Sequence, residues 1–195
     1  AVTEYFSGGT IIDAGCGEGY YTGAIIEQFK QLEIAAEVCG IDISKAAVEY
    51  CAKRCRDAEL AVASVFHIPV SDGSCDMLVT LFAPYCGEEF RRVLKKGGIM
   101  IMAIPSAEHL WELKQAVYDT PYKNEVKPYE LEGFEFLSAQ KVTYDMKLES
   151  SEDIMALFSM TPYYYRTGRD QQERLTKLDS LSTKADFELL VYRNI

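Results

Sequence analysis

The sequence predicts an α/β fold that is doubly wound, with helices on both faces of a mostly parallel, seven-stranded sheet. Three observations predict it. Short, nearly continuous apolar runs alternate with helical patterns between residues 11 and 104, which is typical of parallel strands buried on both faces. A glycine-rich turn at 15–19 connects the first apolar run to the first helical segment. Further strand patterns at 134–146 and 187–192 supply the remaining strands.

The first half of the chain reads as alternating strands and helices. Ser44 is a suitable N-cap, because its hydroxyl can accept a hydrogen bond from the first helical turn. The run from Lys95 to Gly98 supplies cations and glycines that end a helix, and Pro105 ends the fifth strand. In order, we expect strand 11–14, helix 20–31, strand 36–42, a helix from Ser44 to about residue 56, strand 60–63, strand 75–82, helix 87–94 and strand 99–104.

After Pro105 the regular alternation of strands and helices ends. We therefore expect a single domain, 1–195, with a first half at 1–105 and a second half at 106–195. In order, we expect helix 107–118, a loop at 119–128, one or two strands within 134–146, helix 151–160 capped by Ser150 or Ser151, a helix at 171–180 and a last strand at 187–192. We find no internal repeat, low-complexity tract or linker.

Composition and charge limit the function. The chain has 195 residues, 20 Lys and Arg against 30 Asp and Glu, and a net charge of -10. Each half is equally acidic, so a broad platform that neutralises nucleic-acid phosphates is excluded, and an RNA-binding role needs a local patch. Apolar runs are too short to span a membrane, and we expect no signal peptide. Six cysteines without a C-x-x-C pair favour a reduced, cytoplasmic protein without a metal site.

The most specific local pattern is D-x-G-x-G-x-G, formed by Asp13, Gly15, Gly17 and Gly19 between a strand and a helix. Glycines there permit positive φ and close approach of a nucleotide-like ligand. The spacing differs from the dinucleotide fingerprint. Asp13 would repel a pyrophosphate and suits a cationic ligand. At the end of the second strand, the two oxygens of Asp42 can accept both hydroxyls of a ribose.

The glycine loop, Asp42 and the five-strand pattern resemble the class I S-adenosylmethionine (SAM) methyltransferases, which have a Rossmann-like fold. Seven peptides narrow the resemblance to the 23S rRNA guanine-N1 methyltransferases (RlmA type), and together they cover essentially the whole chain. They are GCGEGYYT (15–22), IDISKAAV (41–48), LFAP (81–84), EEFRRVLKKGG (88–98), HLWELK (109–114), LEGFEF (131–136) and MTPYYYR (160–166). HLWELK and MTPYYYR are the most specific.

This resemblance implies SAM as cofactor, S-adenosyl-L-homocysteine as product and a 23S rRNA hairpin as partner, without a membrane partner; a homodimer is left open. Members of the family carry a zinc-binding domain before the methyltransferase domain. That domain is absent from this sequence, which we therefore interpret as a fragment, with zinc confined to the missing part. Its absence puts catalysis by this chain alone in question.

The resemblance also assigns residues. Cofactor-binding residues are Asp13, Gly15, Cys16, Gly17, Glu18, Gly19, Asp42, Ile43, Ser64, Leu81 and His109; catalytic residues are Pro84, Tyr85 and His109; none binds metal. Ser64 stands where many relatives have an aspartate that binds the adenine amino group. Carbonyls of Ala83 and Pro84 face the guanine, Tyr85 stacks on it or merely packs, and His109 lines the site.

Other interpretations stay open. The residues 163–166 form a stacking ledge for a flipped base or belong to the core. Cys51 and Cys55 lie one helical turn apart and are expected to be thiols rather than metal ligands. The alternatives to rRNA methylation are a small-molecule SAM methyltransferase and a non-catalytic SAM-binding domain.

Overall fold

Seven strands pair side by side in one sheet. In the computed structural model, which describes residues 2–126 and 129–195, they are β1 (Gly9–Ala14), β2 (Ala36–Asp42), β3 (Ala58–Val62), β4 (Cys75–Leu81), β5 (Leu94–Pro105), β6 (Phe134–Leu148) and β7 (Leu181–Asn194). Their order is β3-β2-β1-β4-β5-β7-β6. The pairs β1–β2, β1–β4, β2–β3 and β4–β5 are all parallel. The order reverses between β1 and β4, as in a doubly wound fold.

The helices agree with the sequence pattern where caps and periodicity are clear. They are α1 (Val2–Tyr5), α2 (Tyr20–Gln31), α3 (Lys45–Arg54), α4 (Gly87–Val93), α5 (Trp111–Val117), α6 (Ser151–Ser159) and α7 (Arg169–Leu175), with a short 3-10 turn at Tyr164–Arg166. The Ser44 hydroxyl accepts a hydrogen bond from the amide of Ala47 at 3.3 Å. Ser150 caps α6 in the same way, through the amide of Asp153 at 3.1 Å. Both predicted caps are therefore confirmed.

Several boundaries differ from the prediction. The segment 95–98 belongs to β5, where Gly97 adopts φ +80 and the register with β4 shifts. The helix predicted from 107 starts only at Trp111, because Leu110 adopts φ +54 and its amide bonds the carbonyl of Lys184. The helix predicted at 171–180 ends at Leu175. The last strand begins at 181 rather than 187, residues 134–148 form one strand, and α1 was not predicted.

Side chains of the central strands alternate between two cores. Ile11 packs on one face with Ile25 and Phe29 of α2. Ile12 packs on the other face with Phe90 of α4. Both faces of the sheet are therefore covered, which explains why the strands read as continuous apolar runs.

The chain divides into two compact units. The first comprises residues 2–104, 129–139 and 189–195, and the second comprises 105–126 and 140–188. The second unit has its own core around Leu113, Val117, Ile154 and Phe158. Among the helices of the described residues, none combines the length and apolar character that crossing a membrane requires.

Candidate active site

The glycine-rich loop after β1 is shaped by close contacts that only glycine allows. Gly15, Gly17 and Gly19 have φ values of +92, +54 and +78. A Cβ on Gly15 would lie 2.4 Å from the Cβ of Ala83, and one on Gly19 would lie 2.5 Å from the sulfur of Cys51. A Cβ on Gly17 would meet nothing within 4 Å. The first and third glycines are therefore needed for packing, whereas Gly17 leaves open space above the loop.

Asp42, at the end of β2, is held by two backbone amides. Its Oδ2 accepts a hydrogen bond from the amide of Gly17 at 2.9 Å, and its Oδ1 accepts one from the amide of Ser44 at 2.8 Å. The amides of Gly15 and Cys16 both donate to the carbonyl of Ile41, which ties the loop to β2. Each carboxylate oxygen has a second lone pair. Asp42 is therefore fixed in position and can still accept two further hydrogen bonds.

A cavity of about 310 Å³ lies at the carboxyl ends of the strands, where the sheet order reverses. This is where open α/β sheets bind ligands. The structure brings seven of the residues predicted for the site, Ala83 included, together on its walls, beside three others. The lining consists of Gly15, Asp42, Ile43, Ser64, Val65, Phe66, Leu81, Phe82, Ala83 and Pro84.

Exposed apolar side chains flank Asp42 in this cavity. Ile43 is 77% exposed and Phe66 is 59% exposed. The hydroxyl of Ser64 accepts a hydrogen bond from the amide of Phe66 at 3.2 Å, which makes the tight turn after β3. Two apolar groups beside a fixed carboxylate suit a flat ring joined to a sugar. Phe66 was not predicted from the sequence, although a phenylalanine in the loop after a strand was the available signal.

Asp13 lies behind the loop. It is 2% exposed, and its Oδ2 accepts a hydrogen bond from the hydroxyl of Thr22 on α2 at 2.6 Å. Burial is the main cause that raises its pKa to about 6, and the charge of Asp42 adds to the effect. Asp13 therefore joins β1 to α2. Its predicted role in binding a cationic ligand stays a prediction.

Three further predicted residues lie near the loops without belonging to the described lining of the cavity. Cys16 is buried against Cys51 and Cys55, and burial raises its pKa. Glu18 is exposed. The ring of Tyr85 packs edge-on against Phe90, with ring centroids 5.7 Å apart.

An ion pair fixes the loop after β3. Glu89, almost buried on α4, accepts hydrogen bonds from the amide of Ile68 at 2.6 Å and from Arg92. Arg92 also donates to the carbonyls of Ile68 and Val70. The bond from Arg92 is the main cause that lowers the pKa of Glu89 to about 2. This pair, which the sequence analysis missed, holds the segment that carries Ser64 and Phe66.

His109 lies in the second unit. Its Nδ1 accepts a hydrogen bond from the amide of Asp186 at 3.1 Å, and its ring packs edge-on against Phe187. Burial is the main cause that lowers its pKa. The neutral imidazole consequently carries its proton on Nε2. In this state His109 is a hydrogen-bond donor, and its assignment as a cofactor-binding and catalytic residue stays a prediction.

The two most specific peptides meet in the second unit. Lys114 of HLWELK is fully buried; its ammonium donates to Asn124 Oδ1 at 2.7 Å and lies 4.6 and 4.7 Å from the ring centroids of Tyr122 and Tyr163. The hydroxyl of Tyr163, from MTPYYYR, donates to the same Asn124 oxygen at 3.1 Å. Burial lowers the pKa of Lys114. Tyr163 is thus a packing residue, whereas Tyr165 is 85% exposed.

Within the described part of the chain, no group of three His, Cys, Asp or Glu side chains is placed to hold a metal ion. The residues of the cavity fit SAM, the cofactor that the fold implies. Asp42 offers two oriented acceptors for ribose hydroxyls, and open space lies above Gly17.

Comparison with known proteins agrees with this geometry. A family model described as "Methyltransferase domain" matches residues 6–159. YxjB of Bacillus subtilis (strain 168), named "Putative 23S rRNA (guanine-N(1)-)-methyltransferase", is 31% identical over 186 residues, which cover 93% of this chain and 66% of YxjB. The 23S rRNA (guanine(748)-N(1))-methyltransferase of Streptomyces fradiae is 35% identical over 108 residues, which cover 55% of this chain and 37% of that protein.

The chain thus spans only part of the length of these curated relatives. A solved structure from Bacillus halodurans C-125, described as a "putative methyltransferase", has a TM-score of 0.66 at 14% identity and covers 98% of this chain and 95% of that one. That likeness concerns the fold. Because the family model matches most of its residues, the chain belongs to the methyltransferase domain family and has the class I fold of SAM-dependent enzymes.

Proposed function

We propose that this chain binds SAM in the cavity and transfers its methyl group to N1 of a guanine in a 23S rRNA hairpin. The observation that carries the cofactor part is Asp42, whose two oxygens are oriented by the amides of Gly17 and Ser44 at the wall of the cavity. The names of YxjB and of the Streptomyces relative support the acceptor.

The residues of the cavity divide between two tasks. Asp42 accepts the ribose hydroxyls, Ile43 and Phe66 flank the adenine, and Ser64 faces its amino group. Gly17 leaves room for the methionine part and Glu18 contacts it, while Gly15 and Gly19 pack the loop and Asp13 and Cys16 support it from behind. Leu81, the last residue of β4, contacts the cofactor, and Pro84, after β4, faces the acceptor.

Bound SAM supplies a methyl group on a sulfonium, which is already a good electrophile. The chain then contributes mainly by position, because alignment of two reactants accounts for a large part of such a rate enhancement. As guanine N1 bonds to the methyl carbon, the carbon–sulfur bond would break, S-adenosyl-L-homocysteine would leave and the N1 proton would pass to solvent water. We assign the carbonyls of Ala83 and Pro84 to holding the guanine edge, and we keep His109 as a proposed catalytic residue.

Radiolabelled methyl transfer from SAM to unmethylated 23S rRNA tests this function. N1 methylation blocks the Watson–Crick edge, so reverse transcription stops at the modified base. We expect one strong stop, with this chain or with a longer version that carries an upstream zinc domain. A comparison of the two forms shows whether the upstream domain is needed for methyl transfer.

Other outcomes separate the alternatives. Methylation of small molecules without rRNA methylation would establish a small-molecule methyltransferase. Tight SAM binding without any transfer by the longer version would favour a regulatory SAM-binding domain. If His109→Ala transfers methyl groups at the wild-type rate, His109 has no catalytic role.

A further inference from the structure

A row of exposed aromatic rings leads away from the cavity on the first unit. Phe82 lines the cavity and is 51% exposed. Its ring centroid lies 6.4 Å from that of Tyr21, and the rings of Tyr21 and Tyr20 are 5.2 Å apart. The guanidinium of Arg54 lies over the ring of Tyr20, at 5.8 Å from its centroid. We call Phe82, Tyr21, Tyr20 and Arg54 the aromatic strip.

The outer end of the strip is basic, although the chain carries a net charge of -10. Between Tyr50 and Arg56 the sequence has three cations and no acid. Lys53 lies over the ring of Tyr50 at 5.0 Å, which repeats the arrangement of Arg54 over Tyr20. The acid that follows, Asp57, is paired with Lys30 at 2.7 Å. The strip thus ends in the kind of local basic patch that RNA binding by an acidic protein requires.

The backbone at Phe82 indicates that its exposed position is functional. Phe82 has φ +63, a conformation that is rare for a bulky side chain and energetically unfavourable. Strained residues of this kind concentrate at binding sites. In this conformation the ring lies at the wall of the cavity, next to Ala83 and Pro84. Exposed aromatic groups at the wall of a cavity suit a ligand with flat faces.

We propose that the aromatic strip binds single-stranded RNA next to the target base, with bases on the rings of Phe82, Tyr21 and Tyr20 and a phosphate at Arg54. This rests on the function proposed above and adds the surface that recognises the acceptor. Aromatic rings interleaved with cations are the pattern by which proteins bind single strands, because every base has a face that stacks and every nucleotide has a charge. A duplex hides its base faces, so the strip selects the unpaired part of the hairpin.

Kinetics with unmethylated 23S rRNA test the stacking. Tyr20 lies outside the cavity lining and is 69% exposed. Tyr20→Ala should raise the KM for rRNA about tenfold, whereas the Kd for SAM should not change. Tyr20→Phe, which keeps the ring, should behave as the wild type. Equal KM values for Tyr20→Ala and wild type would overturn the proposal, as would a lower melting temperature without any change in KM.

The salt dependence of binding tests the phosphate contact. Labelled oligouridine is the probe, and anisotropy measures its binding. Arg54→Gln should reduce the slope of log affinity against log salt by about 0.7, the value for one contact to a single strand. Arg54→Lys should keep the slope. Lys96→Gln is the matched control. Lys96 is also exposed, but it lies at the amino end of β5, whereas the cavity lies at the carboxyl ends of the strands.

If Arg54→Gln and Lys96→Gln reduced the slope equally, the net charge of the protein and not a phosphate contact at Arg54 would explain the salt dependence. That result would contradict the strip. The two proposals can fail separately. If neither this chain nor the longer version methylates rRNA, the proposed function is wrong, and oligouridine binding still decides the strip. If wild type methylates rRNA and the Tyr20 and Arg54 variants equal it, only the strip is wrong.

Discussion

The two sides of the cavity differ in how their residues are held. On the cofactor side, Asp42 is fixed by backbone amides of the glycine loop and of the turn before α3. On the acceptor side, Phe82 adopts φ +63 and the ring of Tyr85 packs on Phe90. The glycine motif and the carboxylate after β2 form a spacing that is visible in the sequence, whereas the φ of Phe82 and the packing of Tyr85 are properties of the folded loop after β4. The cofactor side is therefore the more predictable one, and substitutions there should have larger and more specific effects.

Asp42→Ala should have the largest effect. It removes the two acceptors proposed for the ribose and leaves the amides of Gly17 and Ser44 without their partner. We expect SAM affinity to fall about 100-fold, or ~3 kcal/mol, measured by calorimetric titration. Asp57→Ala is the control, because Asp57 is an exposed acid outside the cavity that pairs with Lys30. If SAM affinity survived Asp42→Ala, the orientation of the cofactor would have to be reassigned.

Two glycine substitutions on the cofactor side compare a closely packed glycine with one that faces open space. Gly15→Ala forces a Cβ to 2.4 Å from Ala83 at φ +92, so something must shift. We expect it to lower the free energy of unfolding by about 2–4 kcal/mol. Gly17→Ala meets open space and should cost only about 1 kcal/mol for its positive φ. Urea unfolding of both variants measures the difference, and equal losses would show that backbone strain alone decides.

A pH series tests how the loop after β3 is held. The folded-state pKa of Glu89, about 2, is below its ordinary value of 4.5, because the carboxylate bonds Arg92 and the amide of Ile68. Its stabilisation is therefore fully present above about pH 4.5 and is lost as the pH falls toward 2. Glu89→Gln should lower the free energy of unfolding at pH 7 by on the order of 2 kcal/mol.

The readout is the difference between wild type and Glu89→Gln in denaturant unfolding at several pH values. It should shrink as the pH falls from 4.5 toward 2. A difference independent of pH would mean that Glu89 acts through its shape rather than its charge. Glu88→Gln is the matched control, since Glu88 is the exposed neighbour on the same helical turn.

The sequence predicted those parts of the fold in which local chemistry is decisive. The bounds of α2 and β2 agree with the prediction, because a glycine turn, a clear period and a capping serine delimit them. The helix before residues 95–98 ends there as predicted, but these residues belong to β5, which begins at Leu94 rather than at 99. The side chain of Asn194, about a hundred residues later, donates to the carbonyls of Leu94 and Lys95 at that point. No local pattern contains such a partner.

The site shows the same division. Asp42 and Gly15 follow from motif spacing, and the structure places both on the cavity wall. Phe82 was missed because its φ of +63 is a property of the folded loop, and a phenylalanine after a strand otherwise reads as core. The pair of Glu89 and Arg92 lies inside a peptide that resembled the family, but its role becomes visible only once its bonds to the loop after β3 are known.

The smallest effect is expected for Tyr85→Phe, which separates packing from stacking on the acceptor side. The Tyr85 hydroxyl lies close to Gly87, where a Cβ would be 2.5 Å away, and the ring packs on Phe90. Removing the hydroxyl keeps this packing, so methyl transfer should stay within about twofold of wild type, or ~0.5 kcal/mol. Phe82→Leu, which removes a ring from the cavity wall, should instead raise the KM for rRNA several-fold, by ~1 kcal/mol or more. If Tyr85→Phe reduced transfer more than Phe82→Leu, the acceptor would lie against Tyr85, and the sequence-based assignment of that residue would be preferred over the aromatic strip.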